Sequence, residues 1–332
     1  MLKILKILIS LGIAVALSVL GVLYWKVSSP LAMTGERVEF HVASGSSLRS
    51  AAREIHAAGI GVEPWLFVML GRVLRVETSI KAGSYEINRG ISALDLLRKL
   101  TKGDVTLTDI TFIEGWTFRQ MRERIDAHPD LRHDTRGLSD AEVMRLVGAP
   151  SGGAEGAFFP DTYLFSKQGR DVEVLARAYR TMQRHLAREW DARAPGLPYA
   201  DMNQALIMAS IIEKETGREQ DRPMIAAVFV NRLRQGMLLQ TDPTVIYGMG
   251  ERFDGNLRRR DLQTDTPYNT YLRVGLPPTP IAMPGLASLR AALHPAQSSA
   301  LYFVARGDGT SQFSKTLDEH NQAVNRYQRA GR

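Results

Sequence analysis

The N-terminus sets the first constraint. From Ile7 to Trp25 the chain runs nineteen residues without a charge, with Lys3 and Lys6 before the run and Lys26 after it. In a helix this length spans about 28 Å, close to the hydrocarbon thickness of a bilayer. Tyr24 and Trp25 close the run where an interfacial aromatic belt would lie. Lipid or a large core can accept such a segment, and its place at the start of the chain favours lipid. A secretory signal peptide has a shorter apolar stretch followed by a small-x-small cleavage site. Here "YWKVSSPLAM" offers only a poor one. The expectation is an uncleaved single-pass anchor, with residues 1–6 in the cytoplasm, a transmembrane helix over 7–25 and the rest of the chain outside. Lys3 and Lys6 favour this orientation, and Lys26 opposes it.

Behind the anchor, a chain of 332 residues has room for two domains. With 44% hydrophobic and 23% charged residues, it is ordinary globular material rather than disordered chain. A net charge of +7 suits an anionic partner. Nucleic acid, a membrane surface and an anionic extracellular polymer all qualify, and export disfavours nucleic acid. The absence of cysteine excludes a disulfide framework, a thiolate zinc site and a thiol nucleophile. The seven histidines show no metal-ligand spacing, so neither metal nor cofactor is expected.

Residues 26–37 read as a linker. Over 38–104 the pattern becomes that of a small βααβ domain. "VEFHV" places Val38, Phe40 and Val42 on one face of a strand. "SGSSLRSAAREIHAAG" and "EPWLFVMLGRVL" read as helices, the second with Pro64 in its first turn. "KAGSYEI" reads as a second strand, and a Ser92/Asp95 capping pair opens a further helix. In order and spacing this segment resembles the LysM fold, a module associated with glycan binding. From 105 to 332 the pattern predicts a larger mixed α+β domain. Helices are expected at "TFRQMRERIDAH", after Ser139, over "DVEVLARAYRTMQRHLAREWDARA", from about 201 to 216, and over "DRPMIAAVFVNRLRQG". Residues 237–284 read as mostly loop. A hairpin turning at Asp308-Gly309 and a last helix follow. The overall fold class is α+β.

The helix ending at "ASIIEKETG" stands out. Ala205 to Ile212 are apolar except Ser210, so this helix is buried on nearly every side. Glu213, Lys214 and Glu215 then follow directly. On a helical wheel Glu213 lies over Leu206, Ala209 and Ser210, and Glu215 over Met208, Ile211 and Ile212. Desolvation and the negative end of the helix dipole both disfavour an anion at this place, as a general acid requires. The two glutamates are equivalent in these terms, and both also fit a plain helix exit with Lys214 as the cation that complements the dipole. The loops after 237 supply Gln240, Asp242, Thr244, Tyr247, Tyr268, Asn269 and Tyr271. Amides and hydroxyls of this kind bond sugars, and aromatic faces pack on sugar rings. Ordinary turn chemistry explains any one of them alone.

The segments "EGAFFPDTYLF", "ASIIEKETG", "VFVNRLRQGMLLQTDPTVIYGMG", "DTPYNTYLRVGLPPTPIAMPG" and "HPAQSSALYFVARGDGTSQFSKTLDEHN" strongly resemble the endolytic murein transglycosylases of the YceG-like family. The resemblance covers nearly the whole chain, anchor and LysM-like segment included. It implies a bacterial inner-membrane lyase acting in the periplasm on peptidoglycan glycan strands. The bond cut lies between N-acetylmuramic acid and N-acetylglucosamine, and the cut leaves a 1,6-anhydromuramic acid end. The resemblance also makes Glu213 the acid/base, the glutamate that follows "ASII", and leaves Glu215 as a secondary carboxylate. On this view the apolar run is a wall that keeps Glu213 protonated. Peptidoglycan polymerases, the penicillin-binding proteins among them, are the implied partners, since the enzyme would trim or terminate their nascent strands. Two other readings stay open. One is a lysozyme-like muramidase with Asp242 or Glu215 as second carboxylate. The other is a non-enzymatic wall-binding scaffold.

Overall fold

A computed structural model describes residues 2–149 and 152–329. Met1 and residues 330–332, the outer limits of the first and last expected segments, lie outside the described residues, as do residues 150–151. The chain forms two compact units. The first takes in the chain up to Asp109, together with Asp130–Arg132 and Leu164–Gly169. The second takes in Ile110–Pro129, His133–Tyr163 and the chain from Arg170 onward.

The first unit begins with helix α1 (Leu2–Ser28), whose described side chains lie almost entirely exposed until Val27. Within it, Lys6–Ser28 is long and apolar enough to cross a membrane by length and composition. β1 (Arg37–Val42), α2 (Leu48–Ala57), α3 (Pro64–Val73), β2 (Gly83–Asn88) and α4 (Ala93–Lys102) follow in the predicted order. β1 and β2 pair antiparallel with Phe40 opposite Tyr85, and the two rings stack 5.5 Å apart. The alternation read in "VEFHV" is the burial pattern observed, with Val38, Phe40 and Val42 inward. Ser47 and Ser92 cap α2 and α4 by accepting from Ser50 N and Asp95 N. The stretch expected as a linker is only partly one. Lys26–Ser28 continue α1, Val27 is buried in the core of this unit, and Pro30 and Met33 form bridges with Ser92 and Ile60. Apolar side chains at Val27, Leu31 and Met33 find cover there, which a solvated linker would deny them.

After β3 (Leu107–Thr111) come α5 (Phe118–Asp126), β4 (Leu131–Arg132), α6 (Asp140–Leu146), β5 (Thr162–Ser166) and β6 (Gly169–Arg170). β3 pairs with β5 and β4 with β6. Thr117 and Ser139 open α5 and α6 with full capping boxes. The helices α7 (Asp171–Asp191), α8 (Met202–Glu215) and α9 (Arg222–Arg234) are next. Then come α10 (Asp242–Met249), the short α11 (Arg259–Leu262), α12 (Leu286–Leu293), the hairpin β7 (Tyr302–Ala305) and β8 (Ser311–Ser314), and α13 (Leu317–Val324). Residues 237–284 hold more helix than expected, because Asp242-Pro243 starts α10 with proline in its first turn.

α8 is the axis of the second unit. Ala205 to Ile212 are buried without a break, and α12, α9, α10 and α7 pack around them. Val174, Leu175, Ala178, Met182 and Leu186 of α7 are buried as their spacing implies. At roughly 25 cal/mol per Å² of apolar area, a helix enclosed on all sides is anchored far more firmly than its propensity alone would allow.

Candidate active site

Two side chains of α8, one turn apart, hold the strand of chain that leads into α12. Ser210 Oγ donates to Ile207 O at 2.7 Å and accepts from Ile281 N at 3.0 Å. Three residues on, Glu213 Oε2 accepts from Gly285 N at 2.9 Å. The other Glu213 oxygen accepts from Arg222 Nη2 at 3.0 Å, in an ion pair whose side chains are 6% and 9% exposed respectively. Arg222 opens α9, where a cation opposes the helix dipole and needs a local reason. Glu213 supplies that reason. The expected apolar wall is therefore corrected: the Glu213 carboxyl faces a guanidinium and a backbone N–H, not hydrocarbon.

A second acid reaches the same point. The turn Glu114-Gly115-Trp116 lies against residue 283 through Gly115 N→Met283 O and Met283 N→Trp116 O, both 2.8 Å. Gly115 has φ +78°, a conformation that favours glycine, and a side chain there would come up against Glu213 Cγ and Lys214. Lys214 Nζ donates to Gly115 O at 3.2 Å, so its charge is turned to this loop. Glu114 then lies over Gly285. A Cβ placed on Gly285 would overlap the Glu114 carboxyl, Oε1 most of all. Burial, and after it the charge of Glu213, pushes the Glu114 carboxyl above its ordinary range. An open depression of about 680 Å³ begins at the next residue, Leu286, and is lined by Glu189, Glu219, Pro223, Arg290 and His294 among others.

The other expected site residues fall into two groups. Glu215 is half-buried and accepts from Thr241 Oγ1, and desolvation raises its carboxyl. Next to it, Tyr271 Oη donates to Asp242 Oδ1 at 2.5 Å. Thr244 bonds Thr241 O and Thr270 Oγ1, both at 2.8 Å. In the second group, the Tyr247 and Tyr268 rings meet edge to face at 4.9 Å. Tyr268 Oη bonds Thr279 Oγ1, and Tyr247 Oη donates to Glu155 Oε2 at 3.1 Å. Glu155 also accepts from Phe118 N, and burial lifts its carboxyl to about 7. It lines a cavity of about 380 Å³ with Gln183, Asn203 and Thr279. Gln240 is exposed and held at φ +52°.

Thr244 and Asn269 are corrections, since both are fully buried. Asn269 Nδ2 donates to Leu262 O and Thr264 O, and its Oδ1 accepts from Tyr271 N. These two residues tie the loop together and present no free polar atom to a sugar. Three residues with a stake in the site were not singled out in the sequence. Arg222 had a signal in its position at a helix N-terminus. Glu114 and Glu155 had none beyond the glycine that follows each.

Comparison with known proteins identifies the family of the chain. The model of the YceG-like family matches residues 40–326. An endolytic murein transglycosylase of Bacillus subtilis is 33% identical over 267 residues, covering 75% of this chain and 74% of the relative. One from Streptococcus pneumoniae is 26% identical over 317 residues, 85% of this chain, which spans 57% of that longer relative. A YceG-like protein of Listeria monocytogenes, known from a 2.6 Å crystal structure, superposes with a TM-score of 0.54 at 30% identity. The match covers 86% of this chain and 98% of that one.

Proposed function

Because the chain belongs to the YceG-like family, we propose that it is an endolytic peptidoglycan lytic transglycosylase with Glu213 as general acid/base. The observation that carries this reading is the setting of Glu213. It is an acid at the end of a helix buried without a break from Ala205 to Ile212, it is oriented through both oxygens, and the residues that hold it, Gly285 and Arg222, each precede a residue lining an open depression. Oriented proton-transfer groups contribute about 10²–10⁴-fold to such reactions.

The substrate is the glycan strand of peptidoglycan, and the bond is that between N-acetylmuramic acid and N-acetylglucosamine. A proton reaches the glycosidic oxygen, the bond to the muramyl C1 breaks, and charge develops there as in an oxocarbenium ion. The sugar's own C6 hydroxyl then closes on C1 and gives up its proton to a carboxylate. No water enters, and proximity makes the C6 hydroxyl an efficient nucleophile. Gln240, Asp242, Tyr247, Tyr268 and Tyr271 are proposed as sugar contacts.

The apolar helix α1 is the proposed anchor in the inner membrane, with residues 1–6 cytoplasmic and the catalytic unit in the periplasm. The βααβ order of the first unit supports a LysM-like glycan contact. Its depression of about 660 Å³, lined by Ser46, Ser47, Arg49 and Arg72 among others, is the proposed place. Peptidoglycan polymerases are the proposed partners, with nascent strands as the material trimmed.

Digestion of purified peptidoglycan by the wild-type chain and by Glu213→Gln, read by mass spectrometry, tests the reading. The expected wild-type product lacks one water at its muramyl end, and Glu213→Gln yields none. A reducing muramic acid end as main product establishes a muramidase instead. A Glu213→Gln variant that cleaves normally removes Glu213 from the chemistry, and a folded wild-type chain that binds strands without cutting them establishes a scaffold.

A further inference from the structure

A one-carboxylate cycle requires Glu213 to hold a proton first and to accept one later. Its bonding suits the second half. Oε1 faces the Arg222 guanidinium and Oε2 faces Gly285 N, so both oxygens already serve as acceptors. An O–H on either would point at another donor unless that contact opened. Glu114 stands in contrast. Its residue is exposed, and among the described residues no hydrogen bond or ion pair holds its carboxyl. Yet the carboxyl lies directly over Gly285, the residue whose N–H holds Glu213. Two acids thus converge on one glycine, one clamped by donors and one free to carry and deliver a proton. The residue is exposed as a whole, but partial enclosure of its carboxyl against Gly285, followed by the charge of Glu213, favours the protonated form of Glu114 over the opposing pull of Arg222. Pairs of acids set in unlike surroundings are the usual way to divide acid and base duties.

We propose that Glu114 is a second catalytic residue, the general acid, and that Glu213 acts as the base. This rests on the transglycosylase reading above and divides the work assigned there to Glu213. Protonated Glu114 gives its proton to the glycosidic oxygen. The C1–O bond breaks, and its electron pair leaves with the N-acetylglucosamine O4, now a hydroxyl. The muramyl C6 oxygen bonds to C1 as its proton passes to Glu213. Glu213 ends protonated, with one of its two contacts opened to make room for the O–H, and Glu114 ends ionised. Transfer of that proton from Glu213 to Glu114 restores the starting state, with no water or other reactant consumed.

The test uses the full chain in detergent with two substrates, glycan strands and a muramyl glycoside carrying a nitrophenol. A nitrophenolate leaves without being protonated, so it bypasses the acid but not the base. Glu114→Gln is expected to lose about 100-fold or more on strands, to stay within about tenfold of wild type on the activated glycoside, and to lose the alkaline limb of the pH–rate profile. Glu213→Gln is expected to fail on both. Wild-type cleavage of strands by Glu114→Gln overturns the proposal. So does an equal loss on both substrates with an unchanged pH profile, which is the mark of a structural role. Because no bond holds the Glu114 carboxyl, the amide leaves no partner stranded, and a thermal scan of the variant confirms its fold. If Glu213→Gln still cuts strands, the reading of Glu213 itself fails, a result distinct from either outcome for Glu114.

Discussion

Replacing Glu213 by glutamine removes more than a reacting group. At neutral pH it leaves the Arg222 cation enclosed, with its side chain 9% exposed and its Nε already without a hydrogen-bond partner. The amide has one acceptor oxygen where the carboxylate had two. It can serve Arg222 Nη2 or Gly285 N, and its NH2 then faces the donor left over. Breaking a buried ion pair from one side costs roughly 3–5 kcal/mol. The retained acceptor puts Glu213→Gln near the lower end, about 3 kcal/mol. For a unit of this size about 2–4 °C is lost per kcal/mol, a fall in melting temperature of roughly 6–12 °C. Calorimetry or a urea titration of wild type, Glu213→Gln and Glu213→Gln/Arg222→Met measures it. Removing the stranded cation in the double variant is expected to bring stability back to within about 1 kcal/mol of wild type. Wild-type stability in Glu213→Gln, or no recovery in the double variant, refutes the view that the pair bears an enclosed charge. The activity assay of Glu213→Gln therefore belongs well below its own melting temperature.

Gly285→Ala places a methyl where the Glu114 carboxyl lies. Since the obstructing atoms end a flexible side chain, the variant is expected to melt within about 3 °C of wild type and to cleave strands at least about tenfold more slowly, as thermal scans and product analysis would show. Glu155 is held protonated up to about 7 against an ordinary 4.5. Its contribution to stability is therefore full below the unfolded value and is lost as pH rises through about 7. The unfolding free energy from urea titration is expected to fall by up to about 3 kcal/mol between about pH 4.5 and 7, and Glu215, whose carboxyl is also raised, acts in the same sense. Glu155→Gln is expected to flatten that slope in part, and a level wild-type profile contradicts the assignment. Ile211→Ala, at a site with 0% exposure, is expected to cost about 2–5 kcal/mol by denaturant titration. If α1 is an uncleaved anchor, the chain stays in the membrane pellet after alkaline extraction at its full mass, and a shortened soluble product indicates a signal peptide.

What could be read in the sequence was local. The apolar run from Ala205 to Ile212, broken only by Ser210, announced α8, observed at Met202–Glu215 with Asp201 as its cap. Ser92 and Ser139 announced the helices they cap because a capping pattern lies within four residues. The alternation in "VEFHV" survived because one strand face is covered and the other is wet. The site was legible only in its first member. Glu213 sits on a long pattern, but its partners arrive from elsewhere. Gly285 is 72 residues away along the chain, and Glu114 sits on a turn that no periodicity marks. Thr244 and Asn269 misled for a related reason. A threonine or asparagine in a loop has the right chemistry for sugar and for pinning the loop, and only burial separates the two uses. Arg222 could have been suspected from its conflict with the helix dipole.

The enclosure of α8 has a consequence for how the molecule loses activity. The amides from Ala205 to Ile212 have no route to solvent through local fraying, since every side of that stretch is covered. Their exchange with deuterium waits for the whole catalytic unit to open, so their protection reports the global unfolding free energy. Glu213 is the next residue in the chain. A form in which that stretch has opened is expected to lack a working acid/base. Residual activity along a denaturant gradient is therefore expected to fall no later than the protection of these amides.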